Sequence, residues 1–358
     1  MPTRRGATTI AVAASLIAAT TLAGCTLLGE NGNGNEGGGE SARTVTLVTH
    51  DSFAAPRRLL DSFQRESGIR IKVQKSGDAG ALTNKLVLTK DNPIGDVAYG
   101  VDSTFASRAL NENIFQPYAS PQARSGPQRY AVDNRNRMTA IDIGDVCVNI
   151  DTRWFAARGI PEPSSYADLT KPRYRNQLVV QDAATSSPGL AFLLGTVAEY
   201  GQQGWSGYWA KLKANGVKVV SGWEEAYGQD FSGSSGNGPR PIVVSYASSP
   251  AAEVGEDGAA TTKALPDTCY RQVEYAGVLA GAKNRDGARK VVDFLLSERF
   301  QASVPDSMYV YPTRHGVQVP ETWSKVAPLP DRPDSLPPGV VQANRERWVA
   351  QWRGLVRG

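Results

Sequence analysis

Between residues 44 and 100 the hydrophobic pattern switches repeatedly between the period of a strand and the period of a helix. Residues 44–49 are β-branched or apolar and predict a buried strand. Residues 56–66 place their apolar side chains on one helical face and stop at Gly68, a common C-terminal cap. The next predicted elements are a strand at 69–73, a helix at 82–88 and a strand at 96–100. This alternation predicts an α/β fold with helical crossovers between parallel strands.

The second half of the chain repeats the alternation. Predicted strands lie at 178–181, 217–220, 242–246 and 272–280, and predicted helices at 188–199 and 286–296, the latter capped by Asp286. Apolar residues recur at helical spacing between 340 and 356, which predicts a final amphipathic helix. Trp348 and Trp352 on its apolar face are expected in the core. The Pro- and Gly-rich stretches 232–241 and 326–339 are predicted loops.

The first residues read as an export signal. Arg4 and Arg5 precede an apolar run at 9–22 that is too short to span a bilayer. The run ends in Leu-Ala-Gly-Cys at 22–25, which resembles a bacterial lipobox and implies cleavage before Cys25 and lipidation of its thiol. An ordinary signal with an incidental cysteine is the alternative. The Gly-, Asn- and Glu-rich stretch behind it predicts a disordered tether.

Composition narrows the classes of function. The chain has 39 basic and 35 acidic residues, a net charge of +4, and no long basic block, so no nucleic-acid surface is expected. After the signal no apolar run approaches membrane-spanning length. If Cys25 carries lipid, Cys147 and Cys269 remain in an oxidising compartment. A disulfide and two separate buried thiols are both open for this pair.

Motifs of common enzymes are missing from the sequence. Its two histidines, His50 and His315, cannot form an HExxH zinc site, and CxxC, GxSxG, SxxK and Walker A motifs do not occur. A metal site built only from carboxylates stays open. We therefore predict a binding protein that is not an enzyme and needs no cofactor or metal.

Candidate binding residues follow predicted strand ends, where ligands of α/β sheets bind. His50, Asp51 and Ser52 follow the first strand, and Asp102 follows another. The stretch 182–189 follows a third and opens a helix with Ser186 or Ser187 as N-cap and Pro188 in the first turn. Such a helix end can hold a phosphate or another anion. An ordinary cap without ligand is the commoner case, and the segment alone favours it.

Three aromatic clusters lie outside the helical apolar stripes. They contain Trp223 with Tyr227, Tyr246 with Ser248, and Tyr309 with Tyr311. Flat rings beside Gly and Ser suit a stacked aromatic ligand, and a cationic ring would gain about 2 kcal/mol from each desolvated aromatic face. A carboxylate such as Asp51 or Asp102 would balance the charge. Each aromatic residue taken singly is more often core.

Five segments together resemble a known family. They are Thr-His-Asp-Ser-Phe at 49–53, Thr-Ser-Ser-Pro-Gly-Leu at 185–190, Gly-Trp-Glu-Glu-Ala-Tyr-Gly at 222–228, Val-Ser-Tyr-Ala-Ser-Ser-Pro at 244–250 and Tyr-Val-Tyr-Pro at 309–312. In this order they resemble the thiamine-binding substrate-binding proteins of ABC importers. The resemblance runs from about Val45 to the terminal helix and implies the two-lobed periplasmic-binding-protein fold of type 2, with two mixed sheets joined at a hinge by crossing strands.

The resemblance also divides the chain and assigns roles. It implies a lipoprotein signal at 1–24, lipidated Cys25 and tether at 25–43, lobe 1 at 44–140, lobe 2 at 141–272, and a return to lobe 1 at 273–358. The strand ends, the aromatic clusters and the resemblance together give the candidate ligand-binding set, which is His50, Asp51, Ser52, Asp102, Ser186, Ser187, Trp223, Tyr227, Tyr246, Ser248, Tyr309 and Tyr311.

Within that set the two serines would hold a thiamine phosphate, and Trp223, Tyr227 and Tyr246 would surround the thiazolium. Tyr309 stands where the family usually has Trp against the pyrimidine. His50 stands where the family tends to carry Tyr, and it would become cationic at mildly acidic pH.

The expected function is capture of thiamine or its phosphate esters for import through an ABC permease and its ATPase. The protein would be a monomer, anchored by lipid to the outer face of the cytoplasmic membrane. A binding protein for a polyamine or ferric iron is the main alternative. A thiamine-processing enzyme on the same fold would need a cysteine nucleophile in the cleft, and a surface adhesin or receptor subunit also stays open.

Overall fold

Eleven strands of the described chain form two mixed β-sheets in the computed structural model, which describes residues 43–357. The strands are β1 Thr44–Thr49, β2 Arg70–Lys75, β3 Val97–Asp102, β4 Thr139–Ile143, β5 Val146–Asp151, β6 Leu178–Gln181, β7 Lys218–Val220, β8 Ile242–Tyr246, β9 Thr262–Tyr270, β10 Val273–Val278 and β11 Tyr311–Pro312. The first sheet has the order β11-β4-β10-β3-β1-β2 and the second β7-β6-β8-β5-β9. The predicted α/β class with two mixed sheets is confirmed.

Helices connect and cover these strands. They are α1 Arg57–Ser67, α2 Ala79–Leu88, α3 Ala106–Asn111, α4 Thr152–Arg158, α5 Ser187–Ala214, α6 Trp223–Glu225, α7 Arg285–Leu295, α8 Glu298–Gln301, α9 Val304–Met308, α10 Trp323–Val326 and α11 Pro338–Arg357. Helix α1 ends at Gly68 in the left-handed conformation, as predicted. Helix α5 is longer than its predicted 188–199, because it continues across a kink at Gly201.

The predicted cap of α7 is wrong by two residues. The side chain of Asn284 accepts a hydrogen bond from the backbone N–H of Gly287 at 2.9 Å, so Asn284 is the N-cap. Asp286 lies inside the first turn, where it pairs with Arg289 at 3.4 Å. Both are good residues for a helix start, and the sequence pattern does not separate them.

The chain passes between the two sheets twice, once between Ile143 and Val146 and once between Tyr270 and Val273. Strand β4 still pairs with β10 in the first sheet, so the first passage lies a few residues beyond the expected limit of 140. The lobe boundaries themselves stay a prediction. An ion pair joins the two passages, since Asp145 Oδ1, which is buried, lies 2.6 Å from Nε of the half-buried Arg271.

Next to this ion pair, Cys147 of β5 and Cys269 of β9 form a disulfide. The sequence left open a disulfide or two separate buried thiols, and the structure has the disulfide. The predicted signal at 1–24, the lipidation of Cys25 and all of the tether except residue 43 lie outside the described residues.

Tryptophans fill the core where α5 and α11 pack on each other. Trp205 and Trp209 of α5 are fully buried, and so are Trp348 and Trp352 of α11, which confirms their predicted core position. The rings of Trp209 and Trp352 meet edge to face at 5.4 Å, so the terminal helix packs on α5. Among residues 43–357 no helix combines the length and apolar character needed to cross a bilayer.

Candidate functional site

Two adjoining cavities, of about 190 and 480 Å³, open between the strand ends of the two sheets. Six residues line both of them: His50, Ser52, Trp223, Glu224, Tyr246 and Glu274. They come from β10, the segment after β1, the helix that follows β7, and the last residue of β8. The site is therefore built by both sheets, so a ligand bound in it would contact both sheets.

One side of the smaller cavity is an aromatic wall, defined here as Trp223, Tyr227, Tyr246 and Tyr309. The rings of Trp223 and Tyr227 stack at 4.9 Å with 13° between their planes, because residues four apart on a helical turn share a face. The Tyr246 ring lies 6.3 Å from that of Trp223. The indole N–H of Trp223 donates to Ser245 Oγ at 2.9 Å, which fixes its orientation.

Tyr309 completes the wall from the end of α9. Its backbone has the left-handed conformation, with φ of 53°, and its side chain is 39% exposed. Its ring is parallel to that of Trp323 at 6.4 Å, and its carbonyl accepts a hydrogen bond from Ser248. A non-glycine residue in this conformation costs about 1 kcal/mol or more, and here it sets the ring at the cavity.

Glu274, which lines the same cavity, belongs to a buried network with Tyr99 and Asp142. The Tyr99 hydroxyl donates to Asp142 and lies 3.1 Å from Glu274 Oε2. His50 lies beside the network, with Nε2 3.4 Å from Glu274 Oε2. Carboxyl groups packed this closely repel each other when both are ionised, so the two carboxyl groups of the network do not both carry a negative charge.

Burial and neighbouring charges shift the pKa values of these groups. Burial alone would lower the pKa of His50, but the Glu274 carboxylate, together with the charges of Asp78 and Asp142, outweighs burial and raises that pKa to about 9. Burial, together with the charge of Glu274, raises the pKa of Asp142 well above its usual range. Glu274 is buried too, yet His50 holds its pKa below the usual value. Within this group His50 and Glu274 therefore favour their charged forms, and Asp142 favours its protonated form.

The N-terminus of α5 contacts an aspartate from the segment between β2 and α2. Asp78, which precedes α2, accepts hydrogen bonds from the backbone N–H groups of Ala79 at 2.6 Å, Trp223 at 2.9 Å and Ser187 at 3.2 Å. Burial raises the pKa of Asp78, and these hydrogen bonds oppose the rise. The helix end that the sequence offers to a phosphate thus has a carboxylate of the protein on it.

Most of the predicted residues come together at the cavities, and four lie behind their walls. Asp51 lines the larger cavity and accepts from the N–H of Gly77 at 2.9 Å, and Ser187 lines it as well. The four behind the walls are Asp102, Ser186, Ser248 and Tyr311, all buried. Asp102 accepts from Thr104 N at 2.6 Å, and the Tyr311 hydroxyl donates to the Ala327 carbonyl.

Sequence reasoning did not single out Asp78, Tyr99, Glu224 or Glu274, which line the cavities. Glu274 carried a usable signal, because it is a lone charge inside an otherwise apolar strand, and buried charges need partners. Within residues 43–357 no group of three or more His, Cys, Asp or Glu side chains is arranged to hold a metal ion.

Comparison with known proteins agrees with this architecture. Residues 92–331 match the model of the bacterial extracellular solute-binding protein family. The chain is 29% identical to the thiamine-binding periplasmic protein of Brucella suis over 86% of its own length and 91% of that protein, and 28% identical to the Escherichia coli protein of the same name over 87% and 93%. A solved periplasmic thiamin binding protein superposes with a TM-score of 0.77 at 26% identity, covering 87% of this chain and 96% of that one.

Proposed function

Since the chain belongs to the family of bacterial extracellular solute-binding proteins, we propose that its cavities capture thiamine and release it unchanged. Thiamine joins a permanently cationic thiazolium to a flat aminopyrimidine. A ligand of this kind needs aromatic faces and a carboxylate within one cavity. The thiamine-binding relatives that cover most of the chain support the same ligand.

One observation carries the proposal: the aromatic wall and Glu274 line the same cavity. Trp223 and Tyr227 supply a stacked aromatic surface for a cationic ring, and Glu274 supplies negative charge in the same cavity. Glu224 adds a second carboxylate at the cavity surface, where Ser52 Oγ donates to it at 2.8 Å. Desolvated cation–π contacts contribute about 2 kcal/mol each, enough for selective binding when several rings act together.

The phosphate esters of thiamine are the second form that we propose for this site. Ser187 lies at the N-terminus of α5, and helix N-termini favour anions. Asp78 accepts the Ser187 N–H, so a phosphate would have to displace this carboxylate or bind to it in protonated form. On this ground we place free thiamine before its esters.

We further propose that the loaded protein delivers its ligand to an ABC permease and its ATPase. Lipid on Cys25 would hold a monomer at the outer face of the cytoplasmic membrane. We assign no catalytic role to the site. A thiamine-degrading enzyme on this frame would need a nucleophile, typically a cysteine, and Cys147 and Cys269 are joined to each other.

Calorimetry tests the proposal directly. Thiamine, its monophosphate and its diphosphate are titrated into the protein, with spermidine and ferric citrate as the alternative ligands. Binding of thiamine at micromolar or lower concentration, with the ligand recovered intact, supports capture. Binding of only the polyamine or the iron complex would overturn the ligand, and recovery of a cleaved product would overturn the non-catalytic role.

A further inference from the structure

His50 and Glu274 form an ion pair where the two cavities meet. The side chains are 13% and 8% exposed, and His50 Nε2 lies 3.4 Å from Glu274 Oε2. Both residues line both cavities, so a molecule that enters either cavity meets the pair. The carboxylate best placed to neutralise a cationic ligand therefore already has a cation beside it.

Strand β3 builds this pair into the fold. Gly100 has φ of 104°, and a Cβ there would lie 2.2 Å from Cδ2 of His50, so glycine makes room for the imidazole. The neighbouring Tyr99 holds Glu274 through its hydroxyl at 3.1 Å, and its ring lies 5.5 Å from the imidazole ring. Both partners are thus positioned by adjacent residues of one strand.

Of the described residues that line the two cavities, His50 is the one basic residue. The titratable groups that surround the pair from the other elements are acidic or phenolic. They are Asp51 after β1, Asp78 before α2, Tyr99 and Asp102 on β3, Asp142 on β4, Glu224 on α6 and Tyr246 on β8. No lysine or arginine of that lining shares the cation's role with His50.

We propose that Glu274 binds the positive charge of the ligand. In the empty protein, protonated His50 pairs with Glu274 in place of the ligand, and it loses its proton when the ligand binds. The inference rests on the proposed function, because it needs a cationic ligand. The thiazolium and the imidazolium compete for one carboxylate. As the ligand binds, one N–H proton leaves the imidazolium for the solvent, and neutral His50 remains beside the bound ring. One positive charge enters, one leaves, and no bond to the ligand forms.

This exchange makes binding depend on pH. Glu274 keeps His50 protonated in the empty protein at neutral pH, since it raises the pKa of His50 to about 9 against the effect of burial. A second positive charge in the same cavity lowers that pKa again. Protons and ligand therefore compete. The affinity for thiamine should rise roughly tenfold per pH unit between the pKa of the complex and that of the empty protein.

Calorimetry in buffers of different ionisation enthalpy counts the protons. For the wild type we expect release of about one proton per bound thiamine at about pH 7. His50→Gln, which keeps a hydrogen-bond donor beside Glu274, should release none and should lose the pH dependence of affinity. His315→Gln is the matched control, because His315 is the other histidine of the sequence and is exposed. It should behave as the wild type.

Glu274→Gln separates the two roles. Without the carboxylate we expect the affinity for thiamine to fall about tenfold or more relative to the wild type, and we expect no proton release. If the heat of thiamine binding to the wild type is the same in every buffer, no proton is released and the proposed exchange at His50 is overturned. Proton release that persists in His50→Gln would overturn it as well, because another group would then titrate. Absence of any thiamine binding would instead overturn the proposed function.

Discussion

The indole ring of Trp223 lies parallel to the phenol ring of Tyr227, with 4.9 Å between the ring centroids. Trp223 belongs to α6, and Tyr227 to the wider helical turn of residues 226–230 that follows it. Tyr227 is held from behind, because its hydroxyl donates to Glu253 at 3.0 Å. The stacked pair is therefore a rigid surface for a ligand ring.

Replacing Trp223 by leucine should weaken thiamine binding. The substitution removes the aromatic face but keeps an apolar side chain, so we expect a loss of about 2 kcal/mol, or roughly thirtyfold in Kd. Titration calorimetry measures the change. Trp154→Leu is the control, since Trp154 lies on α4 under the Arg158 guanidinium at 4.2 Å, away from the cavities. Equal affinity of Trp223→Leu and wild type would contradict the role of the wall.

Replacing Asp78 by asparagine should shift the preference among thiamine forms. The carboxylate accepts the Ser187 N–H and opposes a phosphate at the same helix end. Without its charge we expect affinity for thiamine monophosphate, relative to thiamine, to rise about tenfold. Asp51→Asn is the control, because it removes one carboxylate from the same cavity and leaves the α5 N-terminus unchanged. An unchanged ratio in Asp78→Asn would contradict competition at the helix end.

Strands with continuous apolar or β-branched residues were predictable from the sequence. β1, β6 and β8 have the predicted bounds, because strands buried on both faces leave a strong local signal of continuous apolar residues. Strand β9 was not predicted as a whole. It contains Pro266 and alternates in no regular way, and its place depends on pairing with the distant β5. Long-range pairing of this kind leaves little trace in local sequence.

The site divides in the same way. Its aromatic wall was predictable, because Trp and Tyr stand beside Gly and Ser in the loops after strands. Glu274 and Tyr99 belong to strand interiors, and only the sheet order brings them to His50. Asp102 and Tyr311 show the opposite case. Both stand at strand ends, where ligand-binding residues were expected, but neither lines either of the two cavities. Asp102 instead accepts from Thr104, and the Tyr311 hydroxyl donates to the Ala327 carbonyl.

Removing the disulfide should destabilise the protein without changing its ligand. Cys147 and Cys269 are separated by 122 positions, and a closed loop of this size restricts the unfolded chain. We expect the double substitution to serine to lower the free energy of unfolding by about 4 kcal/mol in urea denaturation. Wild type treated with reductant should approach the variant, whereas the variant should not respond to reductant. Equal stability of wild type and variant would contradict the structural role of the bond.

The stability of the ligand-free protein should fall as pH rises from about 5 to about 9, because buried groups bind protons more tightly in the folded state than in the unfolded state. Burial raises the pKa of Asp102 to about 7. Burial also raises that of Asp145 to about 6, although Arg271 opposes the rise. Between about pH 4 and these values the folded state holds the additional protons, so stability decreases with pH there. His50 extends the decrease upward, since Glu274 raises its pKa to about 9 against burial, and its contribution is lost as pH rises from about 6.5 through that value.

Groups with lowered pKa values act outside this window. Glu66, which accepts hydrogen bonds from Arg299, and Asp168, which accepts from Lys171, have pKa values of about 2 and lose their contribution only below about pH 4. The measurement is Tm by calorimetry across the range. His50→Gln should flatten the upper part of the curve, and Asp102→Asn the lower part. A Tm that rises between about pH 5 and about pH 8 would mean that the buried groups are ionised in the folded protein, and the proton exchange proposed for His50 would then lose its basis.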